Sequence, residues 1–393
     1  MTSVRRQALP LLVGAVGVST FGDLVGMVPI LLYVQAHSSS GPAVAAVFVA
    51  LWGPLFLFAG PAGLLVDRYD PRRLMFAAAT AQAAVAVALA FAAGVPAAIG
   101  LTALLGTGAA LAQPAEFALV PTLGGANVGR ANSYVETSRA LGFAAGPFVG
   151  GALSAVGGMK VGLLVDAGTF AAVAAVAFVL PPPARRPDAA DDRGRARDGA
   201  VFLARDPFLR IVLGAAFASL LFMTACAPAE VFFAKDTLAA GDSGYGILLG
   251  AWTIGMVLGG LLLGRRLRGT VVALTAICVQ SLGIGVPTLW LALAWGCAWF
   301  LVGGVAMGTK NVVMRTLIHE RVPAELHGRA YAAYNGLRNF AELFALVGGG
   351  LLVAAAGPRL TMALTGALPL AAGVVALVRF TRRRGELLPA TAV

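Results

Sequence analysis

The chain has 393 residues, of which 59% are hydrophobic and only 12% charged, with a mean hydropathy of +0.85. A soluble domain is about 25% charged, so a soluble fold of this size would lack the charges to cover its surface. That excludes an ordinary soluble enzyme, a disordered chain and a fibrous protein, and it points to a polytopic membrane protein.

The net charge of +11 comes from 29 Lys+Arg against 18 Asp+Glu. It reads as positive loops on the cytoplasmic face rather than nucleic-acid binding, because no basic stretch is interleaved with aromatics. The first apolar run follows Arg5 and Arg6. It is too long for a signal peptide and lacks a clear cleavage site, so it reads as a retained first span.

A helix needs about 20 apolar residues to cross the bilayer. Twelve segments fit: 10–34, 43–66, 74–93, 98–120, 134–157, 161–181, 207–233, 244–264, 271–292, 295–317, 329–356 and 358–379. The weakest division is between the ninth and tenth, where Trp290 to Trp299 offers almost no polar turn. That aromatic cluster suits an interfacial belt. With the N-terminus inside, the inner segments hold 22 Lys+Arg and the outer loops three, Lys160, Lys235 and Arg359. The bias predicts that both termini are cytoplasmic. Residues 182–206 are Pro-rich, charged and poor in hydrophobics, and read as a flexible cytoplasmic linker. They divide an N-terminal six-helix bundle, 1–181, from a C-terminal one with a short tail, 207–393.

An internal repeat supports the halving. "GRANSYVETSRALGFAAGPFVGGAL" at 129–153 aligns with "GRAYAAYNGLRNFAELFALVGGGLL" at 328–352, an offset of 199 that places Arg139 on Arg338. Both copies run the same way through the membrane, as in parallel repeats. After span two comes Gly63-Leu-Leu-Val-Asp67-Arg68-Tyr-Asp70-Pro71-Arg72-Arg73. Span five holds Gly142-Phe-Ala-Ala-Gly146-Pro147-Phe-Val-Gly150-Gly151.

Twelve spans, a parallel repeat and a central loop resemble the major facilitator superfamily. The run from Gly63 is similar to its GxLaDRxGRR signature, with Asp70-Pro71 where Gly-Arg is usual. This variant, with "AQPAEFALVPTL" at 112–123 and "RVPAELHGRA" at 321–330, resembles the macrolide-efflux and siderophore-export branch. The span-five run matches GxxxGPxxGG, associated with exporters and antiporters. The antiporter RxxQGxGAA of span four is incomplete: Thr102 and Leu105 stand at its Arg and Gln positions, so a proton-coupling role does not carry over there.

The resemblance implies an all-α membrane fold of twelve helices in two pseudo-symmetric bundles. It implies a cytoplasmic gate at Gly63, Asp67, Arg68, Arg72 and Arg73, where Asp67 faces the start of helix eleven and Gly63 lets helices pack closely; the alternative is a purely topogenic cluster. Gly142, Gly146, Pro147, Gly150 and Gly151 form either an exporter-type bend or plain close packing.

Ionisable groups inside spans suggest function. Asp23 lies near the middle of helix one on a small, partly polar face, and reads as a cavity or proton site, or as a packing hydrogen bond. Desolvation at that depth favours its protonated acid. Arg338 and Glu342 are spaced to pair on one face of helix eleven. Glu116 sits beside Pro114 in helix four. Glu136 and Arg139 are spaced to pair as i,i+3, Asp166 and Glu230 read as solvated toward outer ends, and Lys310 and Arg315 read as interfacial.

Cys226, Cys278 and Cys297 stand alone, and His37, His319 and His327 form no ligand set. There is no GxxxxGK[ST]. No metal or cofactor is expected. The expected function is proton-coupled export of a small amphipathic organic compound by alternating access, by a monomer in the plasma membrane. Its partners are the substrate, protons and the lipid bilayer, with no nucleic acid. The alternatives are an uptake permease or uniporter and, remotely, a receptor or scaffold. A membrane enzyme would need His, Asp or Cys clustered at one depth.

Overall fold

The computed structural model describes residues 2–124, 127–182, 207–264, 266–321 and 327–382, without the side chains at 2–6, 67, 207, 209, 318, 319, 321 and 327–336. The expected linker and the C-terminal tail lie outside these residues or nearly so. Among the described residues every regular element is helical. Hydrocarbon offers no partner to a backbone N–H or C=O, so each crossing segment must satisfy its own.

Span one is Thr2–Ser38. Span two is a bent pair, Gly41–Leu57 and Ala59–Arg68, turning by 51° at Phe58. Pro61, just past the bend, has no N–H to return to the Leu57 carbonyl, which is a sufficient cause. Span three is Pro71–Ala90 and span four Val95–Gly124. Spans five and six are one helical run, Val128–Val179, broken at Gly158 (φ 59°, ψ −155°). Span seven, Pro207–Phe232, ends in a π-helical turn, Phe233–Thr237, and span eight, Gly241–Leu258, in another, Gly259–Leu263. Span nine, Thr270–Gly285, closes with a 3₁₀ turn before span ten, Leu293–Arg321. Spans eleven and twelve are again one run, His327–Arg382, broken at Gly357 (φ 74°, ψ 166°).

Among the described residues nine helices are long and apolar enough to cross a bilayer, and ten with the bent pair taken as one. The two glycine breaks divide two of these, which makes twelve membrane-length segments among the described residues. Gly158 and Gly357 stand 199 residues apart, the offset of the internal repeat.

The chain forms two compact units. One is Met1–Asp188 with Ala240–Gly250; the other is Ala189–Ala239 with Ala251–Val393. The core of the first includes Leu12, Leu119 and Val135, and that of the second Phe208, Leu274, Ile277 and Phe380. In the first unit span one runs along the five–six hairpin. Gly142, Gly146 and Gly150 face it at intervals of one turn. A methyl group on Gly142 would lie 2.8 Å from the Gly17 carbonyl oxygen, and one on Gly146 2.6 Å from Leu24 Cβ. The Ser138 hydroxyl donates to the Val13 carbonyl across the same seam, 2.8 Å. In the second unit Gly349, the repeat counterpart of Gly150, meets the Ala225 backbone of span seven.

The two breaks use backbone conformations that side chains strain to adopt. Gly158→Ala and Gly357→Ala should each destabilise the protein by about 1–3 kcal/mol. Gly168→Ala, on an open helical face with nothing within 4 Å, should be neutral or better. Thermal unfolding in detergent compares them, and equal melting of all three would contradict the assignment.

Candidate functional site

The first unit carries an ion pair between spans. Arg139 of span five donates from Nη2 to Glu116 Oε1 of span four, with side chains 18% and 15% exposed. The Arg139 guanidinium also lies over the Phe117 ring, 5.1 Å from its centroid. Its Nε has no hydrogen-bond partner among the described residues. The expected i,i+3 partner, Glu136, is not the one used. Glu136 is exposed, and the half-buried Glu116 offers Arg139 a carboxylate out of bulk water. Asp23 is exposed at mid-length of span one, between buried neighbours, and within electrostatic reach of both Glu116 and Arg139. Asp23 and Glu116 therefore belong to one polar cluster.

Asp166 differs from its expected solvation. It is 3% exposed and faces span one at Gly22 and Gly26. The expectation took span six to begin near 161, close to water. The hairpin turns at Gly158 without a loop, which carries Asp166 into the helix contact.

In the second unit Arg338 donates to Glu342 Oε1, 3.0 Å, one turn along span eleven. Lys310, expected at an interface, is 6% exposed. Its Nζ donates to Gln280 Oε1 of span nine at 2.7 Å, and Gln280 Nε2 contacts Met223 Sδ of span seven at 2.9 Å. Arg338 is within electrostatic reach of Lys310. Lys310 reads as interfacial in the sequence, and Gln280 went unrecognised there, where the one signal was a polar residue inside an apolar run.

At the loop after span two, Asp70 caps span three. Its carboxylate accepts from the Arg72 backbone N–H at 2.9 Å and from the Arg72 guanidinium at 2.7 Å. Arg72 Nη1 in turn donates to the Leu180 carbonyl at 2.6 Å, tying this loop to the end of span six. The unusual Asp70-Pro71 thus supplies a cap and a proline at the first helical position. Partial burial would push the pKa of the Asp70 carboxyl up, but the Arg72 hydrogen bonds and the charges of Arg72 and Arg73 outweigh it and hold the carboxyl below its ordinary value. Arg68 and Arg73 are exposed. The Asp67 side chain lies outside the described residues. Gly63 does not serve close packing: a methyl group there would meet nothing within 4 Å.

The span-five residues Gly142, Gly146, Pro147, Gly150 and Gly151 are all buried. Gly151 meets Gly246 at the start of span eight, where a methyl group would lie 2.8 Å from Gly246 Cα. In span four Thr102 is fully buried, its hydroxyl donating to the Ala98 carbonyl at 2.8 Å. Among the described residues no three His, Cys, Asp or Glu are grouped to hold a metal.

Twelve crossings in two helical units, each with a charged pair inside its spans, define a polytopic membrane transporter. The chain belongs to the Major Facilitator Superfamily, whose sequence profile matches residues 11–346. It is therefore a multi-pass secondary transporter of that kind and not an enzyme. It is similar to the uncharacterized MFS-type transporter YfiS of Bacillus subtilis (strain 168), 24% identical over 404 residues that cover 95% of this chain and 93% of that one. Among solved structures, a bacterial homolog of the human lysosomal transporter Spinster, inward-facing and unoccupied, aligns over 99% of this chain and 100% of its own with a TM-score of 0.74 and 15% identity. The nucleoside transporter NupG aligns over 96% and 99% with a TM-score of 0.71 and 13% identity. The peptide transporter POT with sulfate bound aligns over 97% and 96% with a TM-score of 0.72 and 16% identity. At these identities the likeness establishes the fold.

Asp70→Ala should remove the cap and release Arg72 from its carboxylate, lowering stability by about 1 kcal/mol. Because the folded carboxyl titrates below its unfolded value, this stabilisation is present above the unfolded value and fades as pH falls through the folded one. Melting temperature against pH should therefore drop more steeply below about pH 4 in the wild type than in Asp70→Ala. Parallel curves would show that Asp70 contributes nothing of the kind.

Proposed function

We propose that this transporter exports a small amphipathic organic compound in exchange for protons, as the macrolide-efflux and siderophore-export branch does. The observation that carries this reading is the placement of Asp23. It is a titratable group whose side chain is exposed at mid-length of span one, within reach of the Arg139–Glu116 pair. A carboxyl so placed can load and release a proton as its side of the membrane changes. The buried glycine run of span five, packed on span one, supports the exporter reading, because movement of span five is carried to the helix that bears Asp23. The alanine- and leucine-rich spans favour an amphipathic substrate. Residues 1–181 and 207–393 act as the two rocking halves around a site near the bilayer midplane, Arg338 and Glu342 belong to the same pathway, and the loop at Gly63, Asp67, Arg68, Arg72 and Arg73 gates it. The protein acts as a monomer in the plasma membrane with both termini cytoplasmic. Uptake of a small metabolite is the second reading, favoured by fold relatives named for nucleosides and peptides. The direction of counterflow in vesicles separates the two.

Asp23→Asn should abolish gradient-driven accumulation in proteoliposomes while downhill exchange survives, with a substrate taken from the drug-sensitivity profile of a deletion strain. Wild-type pH-driven flux in that variant would remove Asp23 from the mechanism. A fluorescent reporter that matures only in the cytoplasm, fused after Val393, should light up; a silent but fully expressed fusion would reverse the topology.

A further inference from the structure

Asp166 combines core burial with a charge-bearing group. It is 3% exposed, on span six, against span one. Span one makes room for it with two glycines one turn apart: a methyl group on Gly26 would lie 2.6 Å from Asp166 Oδ2, and one on Gly22 2.8 Å from Oδ1. Asp23 lies between these glycines in sequence, and its charge reaches Asp166. The carboxyl is thinly satisfied. The Thr169 hydroxyl is 3.3 Å from Oδ1 but only 2.7 Å from the Asp166 carbonyl oxygen, to which it donates. Among the described residues no hydrogen bond reaches Oδ2 and no cation pairs with Asp166.

The charged groups around this contact come from four helices. Span one presents Asp23, and behind it stand Glu116 of span four and Arg139 of span five. Span three, also packed on the five–six hairpin, has only Arg72 and Arg73, in its first turn. An ionised carboxylate without a partner in such a place is costly, and a second carboxylate nearby adds repulsion. One proton shared between the two removes both penalties. Packing does not demand the acid. The position 199 residues on is Thr365, fully buried, whose hydroxyl donates to the Thr361 carbonyl at 2.9 Å. The second unit thus closes the equivalent position with a neutral side chain.

We propose that Asp166 and Asp23 form one proton-binding site, in which exposed Asp23 takes up the proton and buried Asp166 holds it. As the O–H bond on Asp23 breaks, the one on Asp166 forms, and Asp23 is left ionised within reach of the Arg139 charge. The Gly22–Gly26 notch keeps the two carboxyls together. The site's use in transport rests on the proton-coupled function given above, but proton binding is measurable without transport.

The test is an infrared pH titration of the full-length protein in lipid nanodiscs. The wild type should show a protonated-carboxyl C=O absorption at pH 7 that is lost in Asp166→Asn and in Asp166→Thr, the latter copying Thr365. In Asp23→Asn the band should persist, with the pH at which it fades moved by about one unit. A band unchanged in the Asp166 variants, or an unmoved midpoint in Asp23→Asn, would overturn the proposal. If the Asp166 variants do not fold, the Asp23→Asn midpoint decides alone. Loss of the band with gradient-driven transport intact would uphold the site and reject the proton-coupled function. In the Asp166 variants, a retained band with transport lost would reject the site and leave that function standing.

Discussion

Helices immersed in hydrocarbon gain nothing by hiding apolar side chains from one another, because lipid tails are as apolar as leucine. Their association must come from backbones that approach closely enough for dense contact. In the first unit that approach is made twice over between span one and the five–six hairpin. Gly17, Gly22 and Gly26 open span one toward the hairpin, and Gly142, Gly146 and Gly150 open the hairpin toward span one. Asp23, Arg139 and Asp166 all ride on the helices so joined. Their mutual distances are therefore a property of the glycine seam rather than of any bond between the charged groups.

Much of this was legible from the residues. Apolar runs of bilayer length gave twelve spans, because a crossing helix has no other way to satisfy its backbone. The two hairpin reversals fell at the expected places, and the helices meet there at Gly158 and Gly357. What eluded the sequence shares one cause: it depends on which helices touch. Arg139 had a plausible partner three residues away, yet it bonds to Glu116, 23 residues upstream. Asp166 looked peripheral until the loopless turn set its depth. Lys310 sits one helix away from Gln280, a pairing that no spacing rule could indicate. Gly63 failed in the opposite sense, since a family signature suggested a packing role and the residue faces open space. The bend of span two at Phe58 and the π turns after Phe232 and Leu258 are local, yet the apolar runs there read as unbroken spans.

The repeat conserves scaffold more faithfully than chemistry. Gly158 and Gly357 break the backbone alike, Gly150 and Gly349 each meet a neighbouring helix, and Arg139 and Arg338 each pair with a glutamate. The polar groups inside the spans nonetheless differ between the halves. The first unit sets Asp23 and Glu116 around Arg139, with Asp166 buried within reach of Asp23, and the second sets Lys310 against a neutral amide. A duplicated frame has thus been given one acidic half and one half with a buried cation, which is a means of giving the two bundles different tasks.

The reversal at Gly158 carries a consequence for how the chain can change length. Most connections absorb an extra residue because slack in the loop hides it. Here helix runs directly into helix, and an α-helix turns about 100° per residue. A single-residue insertion just after Gly158 would rotate the whole of span six by that angle. Asp166 and Thr169 would swing off the span-one notch, although every side chain were still present. The seam between these two helices is accordingly a place where point substitutions are tolerated according to their size, whereas an insertion or deletion acts on angular phase and disrupts every contact along the helix at once.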